Sequence, residues 1–598
     1  MNSLNERGIT SVDLSASRER ARELLARMTL AEKAGQITLA EKGSVNPADV
    51  ARLGIGAVLS GGGGNPAPND AEHWASMVGD YLEAGERSRL GIPILYGVDA
   101  VHGHSNVRGA TIFPHNVGLG ASRDAELVAR VYRAAAIETV ATGVRWDFAP
   151  AVAVAVDARW GRSYESFGDD PELVSALGAA AVRGLRGDDG ASGDSVLACA
   201  KHFVGDGATA WGTVTRPEWT DWWNAWGTQW RIDQGDPVVD EETLRSIHLR
   251  PYVSALEAGA LSVMVSYSSW RGVKLHGHRH LIVDVLKGEL GFEGFVVSDW
   301  MGIDQLDPDP YRCVVSSLNA GLDMIMVPIE FEPFIDRVVR AVESGAVESE
   351  RIDDAVLRIL TVKFALGIFD QPTQAAIRPD LVGAAPHREL ARQAVAASAV
   401  LLKHRAGTLP VSGEKVLVAG PGADDIGLQC GGWTIEWQGG TGPITEGTTI
   451  LDGLRQALPE SEIWFDPEAT FDAGVAAPLG IVVVAEEPYA EGMGDRGDLT
   501  LPSQDVERVL RLRKLVERLV LIVVSGRPLV LGGLVQQCDA VVAAWLPGSE
   551  GGGVSDVLTG RRPFTASLPR PWPANTRQVD EPHGEWIPEW PRGHGLVL

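Results

Sequence analysis

The sequence predicts an α/β protein in which a (β/α) barrel is followed by a second, open α/β sheet. Two observations carry this. Apolar runs too short for helices end abruptly in polar or glycine residues at 56–60, 92–99, 196–202, 262–267, 294–299 and 323–328, as buried parallel strands do. Helical stretches lie between them, among them one from Asp124 to about Thr142, and this alternation over roughly 300 residues suits a barrel.

Each barrel element brings its polar end to one mouth, where such folds place their chemistry. Asp99, Lys201, His202, Tyr267 and Asp299 close their runs in this way. A helix with Ser349 as its N-terminal cap and Gly367 as its stop ends the region. The expected barrel domain is 1–369. Residues 370–387 mix Pro, Gly, Ala and charges without periodicity and read as a linker. New apolar runs at 415–420, 480–486, 519–525 and 539–545 then build the second domain, 388–598.

Composition narrows the function. A chain of 598 residues that is 45% hydrophobic and 22% charged is globular and too large for a small binding module. Its 53 basic and 79 acidic residues give a net charge of −26, which disfavours nucleic acid and anionic membranes as partners. Four scattered cysteines supply neither a zinc ribbon nor a disulfide framework. The first residues lack the basic and apolar regions of a secretory signal, so a cytoplasmic location is expected. The glycine run 61–64 lacks the Lys-Ser/Thr of a phosphate loop, and Gly420-Pro-Gly422 lacks the third glycine of a dinucleotide site.

Two carboxyl groups stand in chemically interesting places. Asp299 ends a hydrophobic strand and precedes Trp300, and Glu491 lies in a turn-rich segment after a strand of the second domain. A fixed carboxylate and a loop carboxyl are what glycoside hydrolysis requires, as nucleophile and proton donor, about 5 to 5.5 Å apart in a retaining enzyme. By position alone Asp299 also fits a capping or salt-bridged aspartate, and Glu491 a solvated loop residue. Eighteen tryptophans, with Trp433 and Trp437 among glycines in a loop of the second domain, suit stacking on sugar faces or simple core packing.

The chain resembles the glycoside hydrolase family 3 β-glucosidases, most closely their two-domain β-D-glucan exohydrolases. The motifs are Tyr96-Gly-Val-Asp99, Arg159-Trp-Gly-Arg162, Lys201-His202-Phe-Val-Gly-Asp206, Ser266-Tyr267, Gly294-Phe-Val-Val-Ser-Asp299-Trp300, Gly432-Trp433-Thr-Ile-Glu-Trp437 and Trp545-Leu-Pro-Gly. Their shared order, from about Met28 to the C-terminus, is the specific feature. The resemblance implies a (β/α)8 TIM-like barrel and an α/β sandwich with the active site at their junction. It makes Asp299 the nucleophile and Glu491 the acid/base, whose carboxyl should have a raised pKa. Asp99, Arg162, Lys201, His202 and Tyr267 would then hold the glucose, with Trp300, Trp433 and Trp437 beside it.

The resemblance implies no cofactor and no metal, and its substrate would be a β-glucoside or a short β-glucan cleaved from the non-reducing end. A β-xylosidase and a catalytically silent sugar-binding protein stay open as alternatives, and so does a homo-oligomer. Two departures stand out: Gln305 replaces an arginine of the plant enzymes, and an insertion from Trp211 to Trp230 brings six tryptophans. The insertion fits a wall on the leaving-group side of the cleft or an aromatic packing pad. Asp233 beside it fits a carboxylate supporting the acid.

Overall fold

The computed structural model describes residues 12–187, 190, 193–215, 217–220, 230–371, 377–413, 415–582 and 584–598. The chain forms two compact units. The first comprises Met1–Val107, Tyr132–Ala153 and Gly178–Val382, and the second Arg108–Val131, Val154–Leu177 and Gly383–Leu598. The last crossing falls inside the linker expected at 370–387, while two earlier segments belong with the C-terminal unit.

The first unit is a barrel of eight parallel strands: β1 (Thr38–Glu41), β2 (Ala57–Ser60), β3 (Leu95–Val98), β4 (Trp146–Asp147), β5 (Leu197–Phe203), β6 (Ser262–Val265), β7 (Phe295–Val297) and β8 (Ile325–Met326). Their order is β8-β1-β2-β3-β4-β5-β6-β7. A bridge between Val297 and Met324 brings β7 to the start of β8 and nearly closes the ring. The register sets Val98 against Asp147, Asp147 against Ala198, and Val263 against Val296. These strands are buried throughout apart from the half-buried Glu41 that ends β1, which is why they appear as unbroken apolar runs.

The helix expected from Asp124 runs over Ala125–Ala141, and the Asp124 carboxylate accepts the Leu127 N–H at 2.9 Å. The closing helix is Ser349–Ala365. Ser349 is its first residue and not its cap. Glu348 holds the cap position without a side-chain bond, and the Ser349 hydroxyl donates to Glu350 instead. Gly367 follows with φ +75°, the left-handed stop the sequence suggested.

A buried ionic cluster fixes strand β7. Asp323 has no exposed surface. Its carboxylate accepts the Val296 N–H at 2.8 Å and the Lys287 ammonium at 2.7 Å, and it also pairs with Arg351. Burial pushes the Lys287 ammonium down to about 8.

The second unit holds a six-stranded sheet of β9 (Val400–His404), β10 (Val416–Ala419), β11 (Ile463–Asp466), β12 (Ala477–Ala485), β13 (Val516–Val524) and β14 (Ala540–Trp545). The order is β9-β14-β13-β12-β10-β11, with β9 alone antiparallel. Helix Ser503–Arg513 packs on β12 and β13, and helix Ala385–Ser398 on β14, in keeping with an α/β sandwich. Because β12 and β13 are parallel neighbours, the loops leaving them start side by side at the sheet's carboxyl edge. The four cysteines are free and buried, and no described helix is long and apolar enough to cross a membrane.

Removing the Asp323 carboxylate would leave the Val296 N–H buried without an acceptor and the half-buried Lys287 and Arg351 with Asp354 as their remaining acid. Asp323→Ala should lower the unfolding free energy of the barrel by about 3–5 kcal/mol in chemical denaturation. A change below about 1 kcal/mol would show that water satisfies Lys287 and Arg351 without it.

Candidate active site

In the barrel unit, the residues closing successive strands meet. Asp99 follows β3 and its Oδ1 accepts the Lys201 ammonium from β5 at 2.6 Å. The next residue of β5, His202, faces Asp206 at 3.0 Å through Nδ1 and Asp299 at 3.9 Å through Nε2. An aspartate thus orients the imidazole and leaves its other nitrogen toward the carboxylate after β7.

Asp299 is 9% exposed. Its Oδ1 accepts the Trp300 N–H at 2.7 Å, and its own N–H donates to His276 Nε2 at 3.0 Å. To accept that bond His276 must be neutral at Nε2, and burial, aided by Lys274, pushes its pKa down to about 3. A local backbone donor therefore stabilises the carboxylate while the imidazole beneath it adds no positive charge.

Tyr267, after β6, donates its hydroxyl to the Trp300 carbonyl, and Lys274 returns to the Tyr267 carbonyl at 2.9 Å. A Cβ on Gly61 would sit 3.1 Å from the Trp300 ring. The glycine run after β2 thus leaves room for that indole. Gln305, in the turn Gly302–Gln305 after Trp300, donates to Gln234 at 3.2 Å. Of the insertion, Trp222, Trp223 and Trp226 lie outside the described residues. Trp230 is buried, Trp211 is half-buried, and Trp219 is 46% exposed with its indole N–H on the Asp304 carbonyl at 3.0 Å. Asp233 is buried and interacts electrostatically with Lys274.

The second unit assembles Arg162 and Glu491. Arg162 makes two 2.8 Å bonds to Glu165 and reaches Glu491 at 3.3 Å. Glu165 neutralises most of the guanidinium and leaves one longer N–H for Glu491. Trp433 is 8% exposed and donates its indole N–H to Glu165 at 3.1 Å, with Arg162 over its ring, so it supports the Arg162–Glu165 pair. Trp437 is less buried, and its carbonyl accepts the Trp433 N–H at 2.9 Å. The adjoining Gln438 clamps Ala490 by both its carbonyl and its N–H.

Glu491 has φ +53°, a left-handed conformation unfavourable for a side-chain-bearing residue. Such strain persists only where the surroundings over-determine it. Here Gly161 approaches so closely that a Cβ would lie 1.8 Å from the Glu491 carbonyl, and the Gly161 N–H donates to Asp495 at 3.0 Å. Arg527, just past β13 and without exposed surface, donates to the Gly494 carbonyl at 2.7 Å, the Tyr489 hydroxyl at 2.8 Å and the Arg159 carbonyl at 3.1 Å.

These motifs match known proteins along nearly the whole chain. Residues 29–222 and 226–362 match the glycosyl hydrolase family 3 N terminal domain, and 399–597 its C-terminal domain. The chain belongs to glycosyl hydrolase family 3. A lysosomal β-glucosidase of Dictyostelium discoideum is 32% identical over 94% of this chain and 72% of its own length. A periplasmic β-glucosidase of Salmonella typhimurium is 30% identical over 93% and 74%. Among solved structures, the exo-1,3/1,4-β-glucanase of a Pseudoalteromonas species superposes with a TM-score of 0.89 at 38% identity, covering 98% of this chain and 74% of that one. A β-glucosidase of Listeria innocua gives 0.81 at 26% identity, covering 97% and 83%.

Beside the candidate residues of each unit the structure places others that the sequence does not single out. Asp206 ends one motif, four residues after His202, and Glu165 lies just beyond another, three residues after Arg162, where local geometry lets both reach back. His276 and Arg527 carry no such signal, since long-range packing brings them to Asp299 and to the Glu491 loop. Arg527→Lys keeps the charge and loses the fork that joins three segments. It should lower kcat by about 10²-fold with little change in KM, since a misplacement of about 1 Å can cost that much. Unchanged kcat would show that the Glu491 loop holds its shape without Arg527.

Proposed function

We propose that the chain is a retaining, exo-acting β-glucosidase that releases glucose from β-glucosides and short β-glucans. The reading rests chiefly on Asp299, a carboxylate at a barrel strand end, held by the Trp300 N–H, with a neutral imidazole beneath and His202 alongside. The named activities of the Dictyostelium, Salmonella and Pseudoalteromonas relatives support it, and the last suggests β-1,3 and β-1,4 linkages.

In the first step Asp299 attacks the anomeric carbon as the bond to the leaving oxygen breaks, and Glu491 gives that oxygen its proton. A glucosyl ester on Asp299 and an ionised Glu491 result. In the second step Glu491 takes a proton from water, the water oxygen displaces Asp299, and glucose leaves with its configuration retained. Asp99, Lys201 and His202 hold the sugar hydroxyls through charge-assisted hydrogen bonds. Tyr267 and its bond to the Trp300 carbonyl set the shape of the pocket, and Trp300 and Trp437 flank the leaving group. Arg162 steadies Glu491 as its charge changes.

The roles separate experimentally. Asp299→Asn should abolish turnover of an aryl β-D-glucoside. Glu491→Ala should lose about 10²–10⁴-fold on a poor leaving group, and azide should restore turnover of an activated glucoside by forming β-glucosyl azide. Normal turnover by Asp299→Asn, or α-glucosyl azide from Glu491→Ala, contradicts the assignment.

A further inference from the structure

Asp147 is a buried acid of the barrel that the mechanism above does not use. Asp147 ends the two-residue strand β4 and lies between Val98 of β3 and Ala198 of β5. It is wholly buried. Its Oδ1 accepts the N–H of Ala100 at 3.0 Å, in the peptide that follows Asp99. Its Oδ2 has no hydrogen-bond partner among the described residues. The ionisable groups that act on it are Asp99 after β3 and Lys201 on β5, and the Cys199 thiol lies within the same electrostatic cluster.

This arrangement is unusual. A buried carboxylate normally collects several donors or a cation, yet the one ammonium in the cluster is bound to Asp99 at 2.6 Å. One backbone N–H does not balance a full charge in that setting. A neutral carboxylic acid costs less to bury than the ion: its carbonyl oxygen is satisfied by Ala100, and only its O–H is left without an acceptor among the described residues.

We propose that Asp147 is a positioning residue of the sugar subsite: as a neutral acid it fixes the Asp99 turn through Ala100 and leaves Lys201 to Asp99, and on losing its proton to solvent it competes for Lys201 and weakens sugar binding. The inference rests on the reading of Asp99 and Lys201 as sugar-binding residues. Burial pushes the Asp147 carboxyl up to about 7, with the Ala100 N–H and Lys201 opposing and Asp99 reinforcing the rise. The neutral form therefore prevails below neutrality, and the charged form grows in as pH rises through that value.

The probe is D-glucose as a competitive inhibitor of aryl β-D-glucoside hydrolysis, because it carries no charge across the range and its inhibition constant reports binding apart from catalysis. For the wild type the constant should rise several-fold, up to about tenfold, between about pH 6 and pH 8.5 as the buried group ionises. Asp147→Asn keeps an acceptor for Ala100 and cannot ionise, so its constant should match the wild type at the lower pH and stay flat. Asp147→Leu, lacking the acceptor, should bind glucose about tenfold or more weakly at both pH values while kcat changes less.

An Asp147→Asn constant that follows the wild-type pH curve overturns the proposal, as does wild-type binding by Asp147→Leu. Asp99→Ala separates the subsite assignment from the role of Asp147. If it binds glucose normally, the assignment of the subsite itself is wrong. If it loses glucose while both Asp147 variants behave as wild type, only the role of Asp147 fails.

Discussion

On the proposed mechanism, Asp299 has to act as a charged carboxylate where little water reaches it. Desolvation disfavours an ion in such a place, so its neighbours decide whether it survives as one. Asp299 survives through a donor from its own backbone, the Trp300 N–H, and through an imidazole that presents a lone pair to its N–H. The Asp323 cluster pins Val296 on strand β7, three residues before Asp299. The position of Asp299, the proposed nucleophile, is thus inherited from the barrel wall. Its reactivity is set by a few local contacts.

The proposed mechanism sets the second unit a different task, since its proton donor would change charge twice in each cycle. Glu491 sits beside a guanidinium that also holds Glu165 by two shorter bonds. Its backbone is held in a costly conformation by Gly161, the Gln438 clamp and the fork of Arg527. Concentrating rigidity in the loop's anchors lets the carboxyl end stay poised.

Much of the fold was legible because buried parallel strands write themselves as unbroken apolar runs. Six barrel strands and the four central strands of the second sheet declared themselves in this way. β1 and β4 did not: one is four residues ending in glutamate, and the other is a tryptophan and an aspartate. The edge strands β9 and β11 were also missed, since each ends in polar residues and is only partly buried. Of the site, Asp99, Lys201, His202, Tyr267 and Asp299 were readable as polar ends of apolar strands. Glu491 stood out only as one carboxyl of a turn-rich loop, equally readable as solvated, and the family resemblance chose between those readings, because a loop carboxyl has no periodicity to mark it. His276, Arg527 and Asp147 act through contacts between residues distant in sequence, and a single sequence does not display those. The serine expected to cap the closing helix failed as a cap because the helix starts one residue earlier than its hydroxyl would require.

The claim on which the account turns is that Asp299 forms a covalent bond to the sugar. The most direct measurement is to inactivate the enzyme with an activated 2-deoxy-2-fluoro-β-D-glucoside, digest it, and locate the added mass. The account predicts one fluoroglucosyl group per chain, esterified to Asp299, released as activity returns. A label on any other residue, or steady turnover by wild-type enzyme with no trapped ester, would contradict it.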